Sequence, residues 1–388
     1  MDKETVCACA LNRVFGYEPK IALGLIRELG SASAVFDLPG DTLDSLLGPF
    51  SKYRGKLCRE SVEKEEEELS ALEKEGCRFI PFTHPDFPAL LKEIEDPPAG
   101  LYYRGCSPPA DIFGRKPAIA IVGTRDMSPY GKEWCAKIVA SLAQAPSKAV
   151  IVSGLAYGID ITAHLSALRC NLPTVAVLPN GIDRVYPSAH REAASRIAST
   201  EGCALVTDYP PGTGPVAFTF LRRNRLIAAL SQATILIESK IRGGGLMTCR
   251  LASGYGREVF ALPGRLDDIR SQGCNLLIRE KIAEPVAGLE AIGGQVGLGH
   301  YHLKGGDGLA QKLRDSYGGL PRERREELGK VAEAVRRNRG ITVEEIGIML
   351  GIPYPQAAAL AGILQGDGII AMDLLQRCSI NAGNYLTL

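Results

Sequence analysis

AIAIVGTRDMSPYG, residues 118–131, is the stretch whose reading decides the fold. Ala118 to Val122 form a short apolar run with no polar alternation, the pattern of a strand buried on both faces. Gly123 permits a tight exit, and Ser128-Pro129 reads as an N-cap followed by proline at the first helical position. Strand, polar turn and helix start therefore follow one another directly.

Working outward, similar apolar runs recur at 149–153 (AVIVS), 174–178 (TVAVL), 203–206 (CALV), 234–238 (TILIE) and 258–261 (EVFA). Most intervals between them can hold a helix. The spacing predicts an α/β fold, a Rossmann-like, doubly wound, mostly parallel sheet reaching to about residue 290. In such sheets ligands bind beyond the carboxyl ends of the strands, and here those ends are polar and glycine-rich. Arg125 offers a phosphate fork in GTRDMSPYG (123–131), beside Gly123 and Thr124. SGLAYGIDITAH (153–164) supplies Ser153, Gly154 and Gly158, and PNGIDRVYP (179–187) supplies Asn180 and Gly181. ESKIRGGGLMT (238–248) places Gly243, Gly244, Gly245 and Thr248 ahead of a helix, where backbone N–H groups can meet an anion.

FTFLRRNRLIAAL, residues 218–230, falls between two of these ends. It sets Phe218 and Phe220 beside Arg222, Arg223 and Arg225. Guanidinium forks match phosphate geometry, and unpaired bases stack on aromatic rings at roughly 1–3 kcal/mol per base. Leu226, Ile227 and Leu230 recur at helical spacing and face a core. Alone, the stretch reads first as a helix with a wet basic face. Set on a glycine-rich rim it reads as the floor of a strand-binding groove, with Phe220 and the arginines in the groove and Phe218 in the core.

Composition limits the alternatives. The chain has 388 residues and a formal net charge of +1, with 45% apolar and 23% charged residues, so any anion site is a local patch. No run of 18 apolar residues predicts a membrane span, and MDKETVCACAL does not read as a signal peptide. Eleven cysteines without a CxxC pair fit reduced thiols and a cytoplasmic protein. Walker A, GxGxxG, GxSxG and HExxH patterns are absent, so neither a cofactor nor a metal is expected. Asp160 and His164 lie four apart on one expected helix and could act as an acid–base pair, but bracing the loop is the favoured reading, and no catalytic residue is assigned.

Four segments are expected. Residues 1–75 read as a helical domain, with Ile21, Leu25, Ile26 and Leu29 at helical spacing and an acidic face from Glu63 to Glu75. The sheet domain occupies 76–292, entered through a proline-rich passage (Pro81 to Pro109) that reads as irregular chain. A glycine-rich linker, 293–320, leads to 321–388, where Thr342 caps a helix, 354–365 forms a second, and an apolar strand pair follows, as in a winged helix. Arg336, Arg337 and Arg339 could serve DNA there. Without a basic recognition helix, a protein-interaction or regulatory role is favoured.

Taken together, IVGTRDMSPYG, SGLAYGIDITAHLSAL, AVLPNGIDRVYP, FLRRNRLIAALS, GGGLMT and REVFALPG resemble the DNA-processing protein A (DprA/Smf) family. HPDFPALLKEIEDPPAGLYYRG (84–105) and SQGCNLLI (271–278) extend the resemblance over roughly 84–285. It implies a dimeric single-stranded DNA-binding protein that loads RecA recombinase during natural transformation, a mediator rather than an enzyme. It also implies an N-terminal sterile-alpha-motif-like (SAM-like) unit and a C-terminal winged helix. By resemblance, Arg125 is the loop arginine, Phe220 the base-stacking ring, and Arg223, Asn224 and Arg225 the RNR element. Gly243 to Gly245 would be the phosphate-facing turn. Ser188, His190, Ala217 and Leu221 depart from the pattern and remove positive charge, which would shift weight to Arg222 and Arg184. The fold is also similar to that of nucleoside-monophosphate phosphoribohydrolases, but RGGGLMTCR lacks the proline and glutamate of their PGGxGTxxE turn. A protein-only adaptor is the remaining alternative.

Overall fold

The computed structural model describes residues 2–114, 117–298, 313, 316–338, 341–373 and 376–380. They fall into two compact units, Met1–Tyr301 and His302–Leu388.

The first unit is built on one nine-stranded sheet. Its strands are β1 (Cys77–Pro81), β2 (Gly100–Arg104), β3 (Ala118–Val122), β4 (Val150–Ser153), β5 (Thr174–Val177), β6 (Ala204–Thr207), β7 (Ala233–Leu236), β8 (Glu258–Ala261) and β9 (Glu284–Pro285). They lie in the order β1-β2-β6-β5-β4-β3-β7-β8-β9. From β6 to β9 all neighbours are parallel, in register pairs such as Ile119↔Ile151 and Ile119↔Ala233. The β1–β2 hairpin adds antiparallel, pairing Tyr102 with Thr207 of β6. Each of the six apolar runs is a strand. The proline-rich passage differs from its reading as irregular chain. Pro81 ends β1, while Pro98 and Pro108 bracket β2, so the prolines flank the hairpin without breaking its ladder.

Helices cover both faces. In chain order they are α1 (Lys3–Phe15), α2 (Pro19–Leu29), α3 (Ala32–Phe36), α4 (Gly40–Leu47), α5 (Arg59–Lys74), α6 (Ala89–Lys92), α7 (Pro109–Phe113), α8 (Pro129–Leu142), α9 (Ile159–Arg169), α10 (Arg191–Ser199), α11 (Ala217–Ala229), α12 (Gly244–Gly254), α13 (Gln272–Arg279) and α14 (Leu289–Gln295). Ile119, Ile121 and Ile151 pack with Ile138, Ala163 and Ile292 on one face. Ala120, Val122, Val150 and Val152 pack with Leu226, Ile227, Leu246 and Leu277 on the other. Burying each such aliphatic side chain contributes about 1.5–3 kcal/mol, which explains why strands covered on both sides read as unbroken apolar runs.

The N-terminal helices are not set apart. Leu11, Phe15, Ile26 and Leu69 share one core with Tyr102 of β2, Ala176 of β5 and Leu205 of β6. The expected boundary after residue 75 therefore falls inside one compact unit. The expected linker likewise starts too early: Ile292, Val296 and Leu298 are buried against the sheet, and the rest of 293–320 lies largely outside the described residues.

The second unit packs α15 (Arg322–Arg337), α16 (Val343–Leu350) and α17 (Tyr354–Gly366) around Leu328, Val331, Ile346, Leu360 and Leu364. Beside them β10 (Ile341–Thr342), β11 (Ile370–Met372) and β12 (Arg377–Ile380) form an antiparallel sheet in the order β10-β12-β11. Thr342 caps α16 as expected, in a capping box with Glu345. Arg336 pairs with Glu333, and Arg339 lies outside the described residues. Among the described residues no single helix is long and apolar enough to cross a membrane.

Candidate nucleic-acid interface

The chain leaves β3 toward β4 on one side and leaves β7 toward β8 on the other, which makes the crevice between β3 and β7 the sheet's switch point. An open cleft of about 320 Å³ lies there. Gly123, Thr124, Arg125 and Asp126 line it, with Phe220, Leu221, Arg223 and Asn224 of α11. Lys240, Arg242, Gly243, Gly244, Gly245 and Thr248 complete it on the β7 side.

Local geometry fixes the Arg125 loop. Thr124 N–H donates to the Glu238 carbonyl at 2.8 Å, and the buried Glu238 carboxylate accepts the Ser128 N–H at 2.9 Å and its hydroxyl. Arg270 clamps Asp126 from the β8 side at 2.9 Å. Gly158, at φ +76°, is crossed by the Thr124 and Arg125 carbonyls, which leave no room for a Cβ. A Cβ on Gly245 would sit 3.0 Å from the Cα of Gly123. These glycines let three loops close on one another. Gly244 instead meets open space, and the N–H groups of Gly244, Gly245 and Leu246 lead α12 without a backbone acceptor among the described residues.

Asp126, the exposed carboxylate at the cleft, is matched by Arg270, which leaves the remaining exposed charge cationic. Arg125, Lys240 and Arg242 are exposed and form no ion pair among the described residues. The Arg125 guanidinium lies 4.5 Å over the half-buried Phe220 ring, which Tyr186 meets edge-on at 5.5 Å. Lys240 and Arg242 escaped the sequence reading, which took only the glycines and Thr248 from their loop. Two cations flanking a glycine-rich βα turn were the available signal.

The RNR element requires a correction. Arg223 is buried and donates to the carbonyls of Gly154 and Val177, pinning the ends of β4 and β5. Burial lowers its pKa to about 10, so it stays charged at neutral pH, with Asp160 as the opposing influence. Arg225 is buried against Asp208 and donates to the Asp96 carbonyl at 2.6 Å. Both guanidinium groups are committed inside the fold, because α11 lies against the sheet along this side. Arg222 rests 5.2 Å over the Tyr17 ring, on the far side of the helix from the cleft. Phe218 is the reverse case: expected in the core, it is 57% exposed, because the helix begins at Ala217 and turns it to solvent.

Other expected residues also act as supports. Ser153 donates to the Ile121 carbonyl at 2.7 Å, and Asn180 donates to the carbonyls of Gly181 and Arg184. Gly154 abuts the Arg223 guanidinium. Gly181 N–H donates to Thr213 at 3.1 Å, away from the cleft. Arg184 pairs with Asp183, and His190 Nδ1 donates to the Leu155 carbonyl at 2.8 Å. The described residues contain no group of three side chains placed to hold a metal.

Asp160 and His164 do not pair. Burial raises the Asp160 pKa, against the pull of Arg223 and of the nearby Ala156 and Gly154 backbone. His164 Nδ1 lies 2.7 Å from Thr174 Oγ1, whose own proton goes to the Ile151 carbonyl at 2.7 Å, so Nδ1 carries the imidazole proton. Burial lowers the His164 pKa to about 3. The unfolded chain takes up that proton near pH 6.5 and the folded protein does not, so stability falls as pH drops from about 6.5 toward 3. At pH 5 the expected loss is about 2 kcal/mol relative to pH 7.5. Urea unfolding at both pH values should show this loss in the wild type and a loss smaller by about that amount in His164→Gln. Equal pH dependence in the two proteins would refute it.

Residues 78–296, more than half the chain, match the family described as DNA recombination-mediator protein A. Protein Smf of Synechocystis is 41% identical over 210 residues, covering 54% of this chain and 52% of that protein, so the match spans about half of that relative. The DNA processing protein DprA of Streptococcus pneumoniae is 39% identical, covering 54% of this chain and 72% of its own length. A putative DNA processing protein DprA of Mycobacterium tuberculosis is 34% identical over 322 residues, covering 80% and 79%. Among solved structures, S. pneumoniae DprA aligns at a TM-score of 0.59 and 28% identity, over 78% of this chain and 99% of that one. DNA processing protein A of Helicobacter pylori, described for its single-stranded DNA binding mode, aligns at 0.50 and 30% identity, over 56% and 95%. The family match spans the sheet and all the loops that build the cleft, and the mycobacterial relative shares its likeness over four-fifths of the chain; this chain belongs to the DNA recombination-mediator protein A family.

Proposed function

We propose that the chain binds single-stranded DNA in the cleft between β3 and β7 and acts in DNA recombination by binding, not catalysis. One observation carries this reading: among the described residues, three unpaired cations, a half-buried aromatic ring and the free N–H groups of a helix start meet in one open cleft. Arg125, Lys240 and Arg242 hold phosphates, the α12 amides take another, and Phe220 stacks a base once Arg125 swings onto the backbone. Neither Arg223 nor Arg225 touches DNA in this reading; they hold the floor.

The family assignment supports RecA recombinase as the partner, a homodimer as the acting form, and incoming strands in the cytoplasm as the substrate. The second unit is read as a winged helix, supported by the 116° bend between α16 and α17 and by the three-stranded sheet. α17 carries no lysine or arginine, which favours protein docking there.

Fluorescence anisotropy with labelled oligo-dT tests the cleft. Wild type should prefer single strands to duplex, and Phe220→Ala should weaken binding by roughly 1–3 kcal/mol, about 5- to 150-fold. Unchanged affinity in Phe220→Ala would remove the ring from the site, and equal binding to duplex would sink the single-strand reading. Incubation with nucleoside monophosphates should release no free base.

A further inference from the structure

α11 carries a second aromatic–cation cluster, on the side turned away from the cleft. Tyr17, in the turn between α1 and α2, lies 5.7 Å from Phe218, and the Arg222 guanidinium lies 5.2 Å over the Tyr17 ring. Tyr17 and Phe218 are 59% and 57% exposed, unusual for large rings that have a core nearby. The Nη2 of Arg222 is buried and has no hydrogen-bond partner among the described residues. The neighbouring acids are already matched: Glu18 pairs with Lys52 at 2.8 Å, and Asp208 with Arg225. The cluster therefore presents flat π-faces with unspent positive charge.

Helical geometry joins this cluster to the cleft. At roughly 100° per residue, the order around α11 is Phe220, Ala217, Leu221, Phe218 and Arg222. Ala217, Leu221 and Phe218 are exposed, while Phe220 and Arg222 are half-buried at the two margins. One continuous exposed arc thus runs from the ring in the cleft to the ring beside Tyr17. A helix with its side chains is about 10–12 Å across, a distance covered by about three nucleotides at the stacked spacing of roughly 3.4 Å.

We infer that a single strand leaving the cleft crosses the N-terminal end of α11 and stacks its next bases on Phe218 and Tyr17, with Arg222 on the intervening phosphate. This inference rests on the cleft reading and extends it. The occupant is nucleic acid because the surface pairs open rings with an unmatched guanidinium, the combination that base faces and phosphates require. Leu221 and Ala217, between the platforms, give the sugar edge a smooth crossing.

The test compares oligo-dT of about four nucleotides, enough for the cleft, with oligo-dT of about twelve, within the range of roughly 4–16 seen for single-strand sites. Wild type should bind the longer strand more tightly by more than the statistical gain from added positions. Tyr17→Ala/Phe218→Ala should keep wild-type affinity for the short strand and bind the long one at least about 5-fold more weakly. Tyr17→Phe/Phe218→Tyr should restore the length dependence, since only π-faces are needed. Arg125→Ala should weaken both lengths, which separates the two sites. In Phe218→Trp, long oligo-dT should quench indole emission beyond any change from Trp134 alone, and the short one should not. Equal binding of the long strand by wild type and the double alanine variant overturns the inference while leaving the cleft reading intact. Wild type that binds neither strand overturns the cleft reading and this extension with it. Loss of capture of a protein partner by the double variant, with unchanged DNA binding, also refutes it and assigns the patch to protein.

Discussion

Asp208→Ala is expected to destabilise the protein by about 3–5 kcal/mol, the usual consequence of leaving one member of a buried ion pair alone. Asp208 and Arg225 are each 4% exposed and face each other directly. Among the described residues the other carboxylate paired with Arg225 is Asp96, 3.6 Å away and partly open to solvent. Asp208 also lies at the seam between the N-terminal helices and the sheet, where its carbonyl accepts from Asn12 of α1 at 2.8 Å. With the carboxylate gone, the guanidinium stays desolvated with a screened partner. At about 2–4 °C per kcal/mol, the melting temperature should fall by roughly 6–20 °C. Arg225→Met should cost a similar amount, and Asp208→Leu/Arg225→Met should lose less than the two single changes together, because no charge is then buried alone. Thermal and urea unfolding measure all three. If Arg225→Met left stability unchanged but lowered the salt dependence of oligo-dT binding, Arg225 would be a phosphate ligand after all and the burial argument would fail.

That contrast shows where the sequence was legible. Strands covered on both faces declare themselves as apolar runs, so β3 to β8 could be read directly. β1 and β2 could not, because the prolines beside them signal irregular chain, and only tertiary packing reveals that they sit at the strand ends. Charge type is visible in a sequence, but burial of a charge is not. Arg125, Arg223 and Arg225 look alike as letters; one lies on an exposed loop and two lie under a helix pressed onto the sheet. Phe220 lies at the cleft as expected, but Phe218 was misplaced for a related reason. Two residues apart on a helix is about 200° of rotation, so the start of α11 at Ala217 decides which ring faces the cleft. Lys240 and Arg242 were overlooked because a glycine run draws attention to backbone and away from its flanks.

Arg125→Ala/Lys240→Ala/Arg242→Ala should bind oligo-dT about 100-fold more weakly at 0.1 M salt, with the fold unaffected. Each phosphate contact on a single strand contributes about 0.7 to the slope of log affinity against log salt. Three contacts account for about 2 in slope, hence about two decades in affinity at 0.1 M salt. The three side chains are exposed and unpaired among the described residues, so removing them breaks no buried bond and leaves no orphaned charge. Unfolding free energy should therefore stay within about 0.5 kcal/mol of wild type, as expected of surface substitutions. This outcome is the reverse of Asp208→Ala, in which stability falls first. Each single variant should lower the slope by about 0.7, and the three should add, since phosphate contacts along a flexible strand act independently to first order. A triple variant whose slope matches wild type would show that the strand's charge is met elsewhere. In that case the cleft between β3 and β7 would be a structural crevice, and the bound strand would have to lie on another face of the sheet's carboxyl edge.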